Sequence, residues 1–106
     1  MQLCGSFTYL TGKSHAYDGG QDSIRLNFSY KTPSNYKYVL VTGGGYTGFT
    51  ASISAGTQII KSIKGHGSGD ISVTYLYKNV PSGTNITAST SWGSNGRIDV
   101  WYCGTY

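Results

Sequence analysis

Few side chains in this 106-residue chain are equipped for acid–base chemistry. Glu is absent, the carboxylates are Asp18, Asp22, Asp70 and Asp99, and the histidines are His15 and His66. His15 and His66 with Lys61 or Lys64 would supply the acid, the base and the cationic stabiliser of RNA cleavage, since one imidazole takes a proton, the other returns one, and a cation meets the charge that develops on phosphorus. Both histidines lie in Gly-rich stretches, where an imidazole is usually just a solvated side chain. A small basic ribonuclease is therefore a remote alternative, and the chain reads as a non-enzyme.

Metal and phosphate chemistry is equally thin. Asp18-Gly-Gly-Gln-Asp22 puts two carboxylates on one segment but lacks the ligand count of a calcium loop, and reads as turn chemistry. Cys4 and Cys103 stand near opposite chain ends, with the two histidines isolated from them and from each other, which is no zinc signature. Gly43-Gly44-Gly45 is not followed by the Gly-Lys-Ser/Thr of a phosphate loop and marks a tight reversal, a bulge or a close backbone approach. Asn27-Phe-Ser and Asn85-Ile-Thr match glycosylation acceptors but fall inside expected strands, as chance matches in a Ser/Thr-rich chain. No metal or cofactor is expected.

The aromatic residues are the more informative class. Ten Tyr and sixteen Gly are the strongest deviations in composition. Trp92, Trp101, Tyr46, Tyr75, Tyr77, Tyr102 and Tyr106 exceed what a core of this size holds, so part of the set must face solvent or a neighbouring subunit. Aromatic rings beside Asn, Ser and Thr suit stacking against sugars, with hydroxyl groups taking up the hydrogen bonds. The expected ligand-binding set is Tyr46, Tyr75, Tyr77, Trp92 and Trp101, joined by the local basic cluster of Lys61, Lys64 and His66.

The elements that position these residues are strands. Asp22 to Lys31 alternates Ile24, Leu26, Phe28 and Tyr30 with polar residues, the pattern of a half-buried strand. Tyr36 to Thr42 carries apolar residues on both faces, so it is expected to be covered on both sides. Asp70 to Lys78 places Ile71, Val73, Tyr75 and Tyr77 on one face. Val80-Pro81-Ser82-Gly83 is expected to turn it into a hairpin with Thr84 to Trp92. Gln2 to Leu10 reads as a first strand, Thr11 to Gln21 as a loop, Tyr46 to Ser54 as the strand after the three glycines, Thr57 to Ile63 as a short apolar strand, and Arg97 to Cys103 as the last. The total is about eight strands with turns at sandwich or barrel spacing, and no stretch has helical periodicity.

Length and charge bound the rest. A chain of this size is one domain. Only 11% of residues are charged against 38% hydrophobic, and the net charge of +4 comes from eight scattered Lys and Arg against four Asp. With no basic arm, a nucleic-acid partner is not expected. No apolar run reaches the roughly 18 residues of a membrane span, and the N-terminus lacks the regions of a signal peptide, so synthesis in the cytoplasm without membrane insertion is expected. If the first and last strands pair, a Cys4–Cys103 bridge would be worth up to ~4.7 kcal/mol in the loop-entropy model; two buried thiols are the alternative.

The runs Tyr38-Val-Leu-Val-Thr-Gly-Gly-Gly, Thr50-Ala-Ser-Ile-Ser-Ala-Gly, Tyr75-Leu-Tyr-Lys-Asn-Val-Pro-Ser-Gly-Thr-Asn-Ile-Thr and Arg97-Ile-Asp-Val-Trp-Tyr resemble small β-sandwich modules of bacteriophage tail and tail-fibre proteins. The likeness covers about Tyr36 to Tyr106 and is one of pattern, with no site motif to carry over. It implies a virion protein, made in the bacterial cytoplasm, that recognises a host surface and is frequently a trimer. The expectation is an antiparallel β-sandwich, jelly-roll or immunoglobulin-like, that binds a cell-surface glycan or host protein without catalysis. The alternative is a free-standing phage-encoded inhibitor that sequesters an anionic ligand or host protein through the basic segment around Lys61 to His66.

Overall fold

The computed structural model describes residues 4–14, 26–45, 49–65, 71–90 and 96–106, with the backbone alone at 45, 63–65 and 71. The described residues form eight strands: β1 (Thr8–Ser14), β2 (Asn27–Lys31), β3 (Tyr36–Gly45), β4 (Phe49–Ile53), β5 (Thr57–Gly65), β6 (Ile71–Val80), β7 (Asn85–Thr90) and β8 (Arg97–Thr105). A five-stranded sheet, β1-β8-β3-β6-β5, packs on a three-stranded one, β2-β7-β4, and every pairing is antiparallel. The fold is the expected β-sandwich. Pairing β1 with β8, β2 with β7 and β3 with β6 gives the nested scheme of a jelly roll, in which a long ribbon is rolled onto itself. β5 departs from that scheme by pairing with β6 at the edge of the larger sheet. Among the described residues no helix is long and apolar enough to cross a membrane.

The core lies between the sheets and follows from the period-2 alternation. Val39 and Val41 of β3, Val73, Tyr75 and Tyr77 of β6, and Ile98 and Val100 of β8 point inward from the large sheet. Ile86 and Ala88 of β7 and Phe49 of β4 meet them from the small one. Each fully buried Val or Ile contributes about 1.5–3 kcal/mol of burial. β3 sits between β8 and β6 in the middle of its sheet, and its outward Tyr38 and Leu40 are also partly covered, which explains its apolar character on both faces.

Three expectations about the strands are corrected. β6 and β7 do not form a hairpin: Val80-Pro81-Ser82-Gly83 carries the chain from the large sheet to the small one. The connection from β2 to β3 crosses between the sheets at the same end, and the two crossings are bonded to each other. The Thr32 hydroxyl donates to the Pro81 carbonyl at 2.8 Å and accepts from the Thr84 amide at 2.9 Å, while the Gly83 amide donates to the Thr32 carbonyl at 2.7 Å. Thr32 and Thr84 are buried, so these bonds satisfy polar groups that a simple hairpin turn would leave in water.

Gly43-Gly44-Gly45 does not end β3 but belongs to it. The close approach expected of these glycines is present at Gly43, where a Cβ would collide with the Phe49 ring and lie 2.5 Å from the Arg97 carbonyl oxygen. Finally, the first strand is Thr8–Ser14 rather than Gln2 to Leu10, with an irregularity between Tyr9 and Thr11 that its weak alternation did not reveal. A smaller irregularity adjusts the end of β6. Asn79 has φ 54°, the left-handed region that Asn tolerates, and the turn it introduces puts Val80 in the core although Lys78, two residues earlier, is exposed.

Cys4 and Cys103 are joined, with Cα atoms 6.0 Å apart and a separation of 99 positions in sequence. The bridge ties the segment ahead of β1 to β8, on which β1 also pairs.

Candidate functional site

The sandwich exposes two sheet faces. On the outward face of the large sheet, cross-strand register lines up one apolar side chain per strand: Tyr9 opposite Trp101, Trp101 opposite Leu40, Leu40 opposite Leu76, and Leu76 opposite Ile60. The middle of this row closes on itself, for Leu76 is only 2% exposed. Its end on β1 stays open, with Tyr9 48% exposed. The Trp101 indole donates from Nε1 to the Thr42 hydroxyl at 3.1 Å, and the Tyr9 ring meets it edge-on, with centroids 5.0 Å apart and planes at 74°. The T-shaped contact fixes the two rings against each other while about half of Tyr9 stays in solvent.

Beside Tyr9 lies a hollow of about 120 Å³ lined by Tyr9, Gly12, Lys13, Ser14, Arg97 and Asp99. Gly12 stands opposite Asp99 in the β1–β8 register. A Cβ on Gly12 would run into the Tyr9 hydroxyl and the Asp99 Oδ1, so the missing side chain is what lets the phenol close over the carboxylate. The Asp99 Oδ2 accepts from Arg97 Nε at 2.5 Å. The pair is asymmetric: the Arg97 side chain is 65% exposed and that of Asp99 only 9%. Solvent therefore meets the cationic end, with the anionic end beneath it.

The electrostatics agree with that geometry. The Tyr9 phenol is pushed above its ordinary pKa, by partial desolvation first and then by the charge of Asp99 and the hydrogen bond to it. The Arg97 guanidinium is held more firmly protonated by its bond to Asp99 and by that carboxylate's charge. Lys13 reaches the other way: its ammonium donates to the Asn27 carbonyl on β2 at 3.1 Å, bridging the sheet edges.

The second face belongs to the small sheet. Asn27, Ser89 and Thr50 form one cross-strand row and Ser29, Thr87 and Ser52 the next. Thr50 and Ser89 are hydrogen-bonded at 3.2 Å and Ser52 and Thr87 at 2.7 Å. A shallow depression of about 360 Å³ lies over these strands. It offers an uncharged field of hydroxyls, much of whose bonding capacity is used by its own pairs.

The residues expected to bind ligand are distributed unevenly. Trp101 lies at the open corner. Lys61 is exposed on β5 with its ammonium over the Tyr75 ring, 5.6 Å from the centroid, a cation–π contact that tethers it to the sheet. Tyr75 and Tyr77 are corrected: at 3% and 1% exposure they belong to the core, where their rings stack 6.2 Å apart. The Phe49 ring of the facing sheet lies against Tyr75, with centroids 6.1 Å apart, so the core between the sheets takes up rings that the aromatic surplus placed among the ligand-binding set. Tyr46, Trp92 and His66, and the side chain of Lys64, lie outside the described residues.

Sequence reasoning missed Tyr9, Gly12, Arg97 and Asp99 as site residues. Half of the signal was readable, because Arg97, Asp99 and Trp101 share one face of an alternating strand. The other half depended on where β1 pairs with it. Among the described residues no group of three or more His, Cys, Asp or Glu side chains is placed to hold a metal ion. The corner gathers the Tyr9 ring, the Arg97 guanidinium and Ser14 around a small hollow. No family model, curated protein or solved structure matches the chain.

Proposed function

We propose that the protein is a non-catalytic carbohydrate-binding module of the kind that phage tail proteins use to attach to a host surface, and that it binds through the corner formed by Tyr9, Trp101 and Arg97. The observation that carries this reading is the half-exposed Tyr9 ring, held edge-on by Trp101 and by its hydroxyl over Asp99, next to an exposed guanidinium. A rigid ring face suits the apolar C–H face of a pyranose, and the donors beside it suit the hydroxyls at its rim. Little side-chain entropy is left to lose there, because both aromatic rings are already fixed. Single sites of this size bind weakly, so a trimer would raise the avidity on a polymeric glycan.

The test is a screen of the purified chain against bacterial surface glycans. Saturable binding is expected, weakened roughly tenfold or more by Tyr9→Ala with folding intact, and the glycan is recovered uncleaved. Binding that Tyr9→Ala leaves unchanged would move the site elsewhere, and absence of binding to any glycan at high protein concentration would remove the carbohydrate reading. Light scattering reads the oligomer directly.

A further inference from the structure

We infer that the corner selects an acidic sugar, a pyranose carrying a carboxylate such as a uronic acid residue, over its neutral counterpart. This rests on the carbohydrate reading above and deepens it. The argument is the asymmetry of the Arg97–Asp99 pair. Asp99 is buried, covered by the Tyr9 phenol on one oxygen and bonded by Arg97 Nε on the other. Each of its oxygens thus already has a partner within the protein. Arg97 uses only Nε in that bond, and its terminal nitrogens make no hydrogen bond to other described residues.

The corner therefore presents an exposed guanidinium, with its paired carboxylate nearly buried in the wall of the hollow. A guanidinium fork matches a carboxylate in geometry as well as charge, which neutral hydroxyls do not. Lys13, the other cation lining the hollow, gives one of its three donors to the Asn27 carbonyl and keeps its charge, so it adds attraction while the planar fork of Arg97 supplies the geometry. Asp99 is a positioning residue here: it fixes the fork beside the Tyr9 ring, so that a sugar stacked on the ring brings an equatorial carboxylate within reach. The net charge of +4 adds a long-range attraction to acidic polymers.

The experiment titrates the full chain calorimetrically with oligogalacturonate and with the same oligomer methyl-esterified, which keeps the ring and removes the charge. The acid is expected to bind roughly tenfold or more tightly than the ester, with a preference that shrinks as salt rises. Arg97→Gln should remove most of the acid's preference over the ester, Arg97→Lys should retain more of it, and Tyr9→Ala should weaken both ligands. Equal binding of acid and ester would overturn the inference while leaving the carbohydrate reading in place. The same holds if neither oligomer binds but neutral glycans in the surface screen do. Failure of every glycan would remove both. Should Arg97→Gln not fold, as judged by near-ultraviolet circular dichroism, the comparison of acid and ester on the unmodified chain decides the matter alone.

Discussion

The Tyr77 hydroxyl is buried inside the sandwich and meets no hydrogen-bond partner among the described residues. Burying a hydroxyl without a partner costs about 1–3 kcal/mol in proteins. Tyr77→Phe removes that oxygen and keeps the ring, with its stacking on Tyr75. The variant should gain about 1 kcal/mol, which for a domain of this size raises the melting temperature by roughly 4–8 °C. Urea denaturation in oxidising buffer measures the gain, and an unchanged slope would show that the unfolded state is not the cause.

Alkali gives an independent reading of the same group. Burial, and secondarily Tyr75, push the Tyr77 phenol far above its ordinary value. The folded state thus holds this proton more tightly than the unfolded state does. Stability is fully present below the unfolded value near pH 10 and is lost as pH rises above it. Tyr36, raised chiefly by burial, and Tyr9 act in the same direction. The unmodified protein should therefore unfold in alkali with tyrosinate absorbance appearing as structure is lost, and Tyr77→Phe should move that midpoint upward. A variant less stable by more than about 0.5 kcal/mol, beyond the scatter of a neutral substitution, would refute the reasoning by showing that the hydroxyl contributes a favourable contact.

Two further substitutions probe the frame that holds the site. Gly43→Ala places a methyl group against the Phe49 ring and the Arg97 carbonyl, and because the latter is backbone in a central pairing, a loss of about 1–3 kcal/mol in urea denaturation is expected. Replacing Cys4 and Cys103 by Ser, or reducing the bridge, frees a loop of nearly the whole chain and should cost up to ~4.7 kcal/mol by the loop-entropy model, a large share of the ~5–15 kcal/mol a domain possesses. A melting temperature that ignores reductant would show that the β1–β8 pairing needs no covalent tie.

Positioning of the corner depends on both of these features. Tyr9 and Gly12 come from β1, an edge strand, whereas Trp101, Asp99 and Arg97 come from β8, its only partner among the described residues. The bridge at Cys103 and the ladder from Thr8–Tyr102 to Ser14–Arg97 act on the same two strands. Loss of the bridge is thus expected to loosen the Tyr9 ring over Asp99 before it disturbs the Val39 and Val41 core, whose strand is paired on both sides.

Alternation along the chain was enough, by itself, to establish an all-β sandwich and the inward faces of its best strands. Val73, Tyr75 and Tyr77 were read as one face, Ile98, Val100 and Tyr102 as another, and β3 as covered on both sides, because a period of two is local and survives whatever the strand pairs with. Tertiary structure alone decided which faces meet which. The Pro81–Gly83 turn looks like a hairpin locally, yet bonds from Thr32, some fifty positions earlier, make it a crossing between sheets. Tyr75 and Tyr77 carry the same residue type as exposed Tyr9, and only the position of their strand opposite the small sheet puts the first two inside. The corner itself joins Tyr9 and Gly12 to Arg97, Asp99 and Trp101 across nearly the full length of the chain. No local pattern encodes that register; it is set by the packing of the whole sandwich, and the candidate site exists only once the first and last strands have paired.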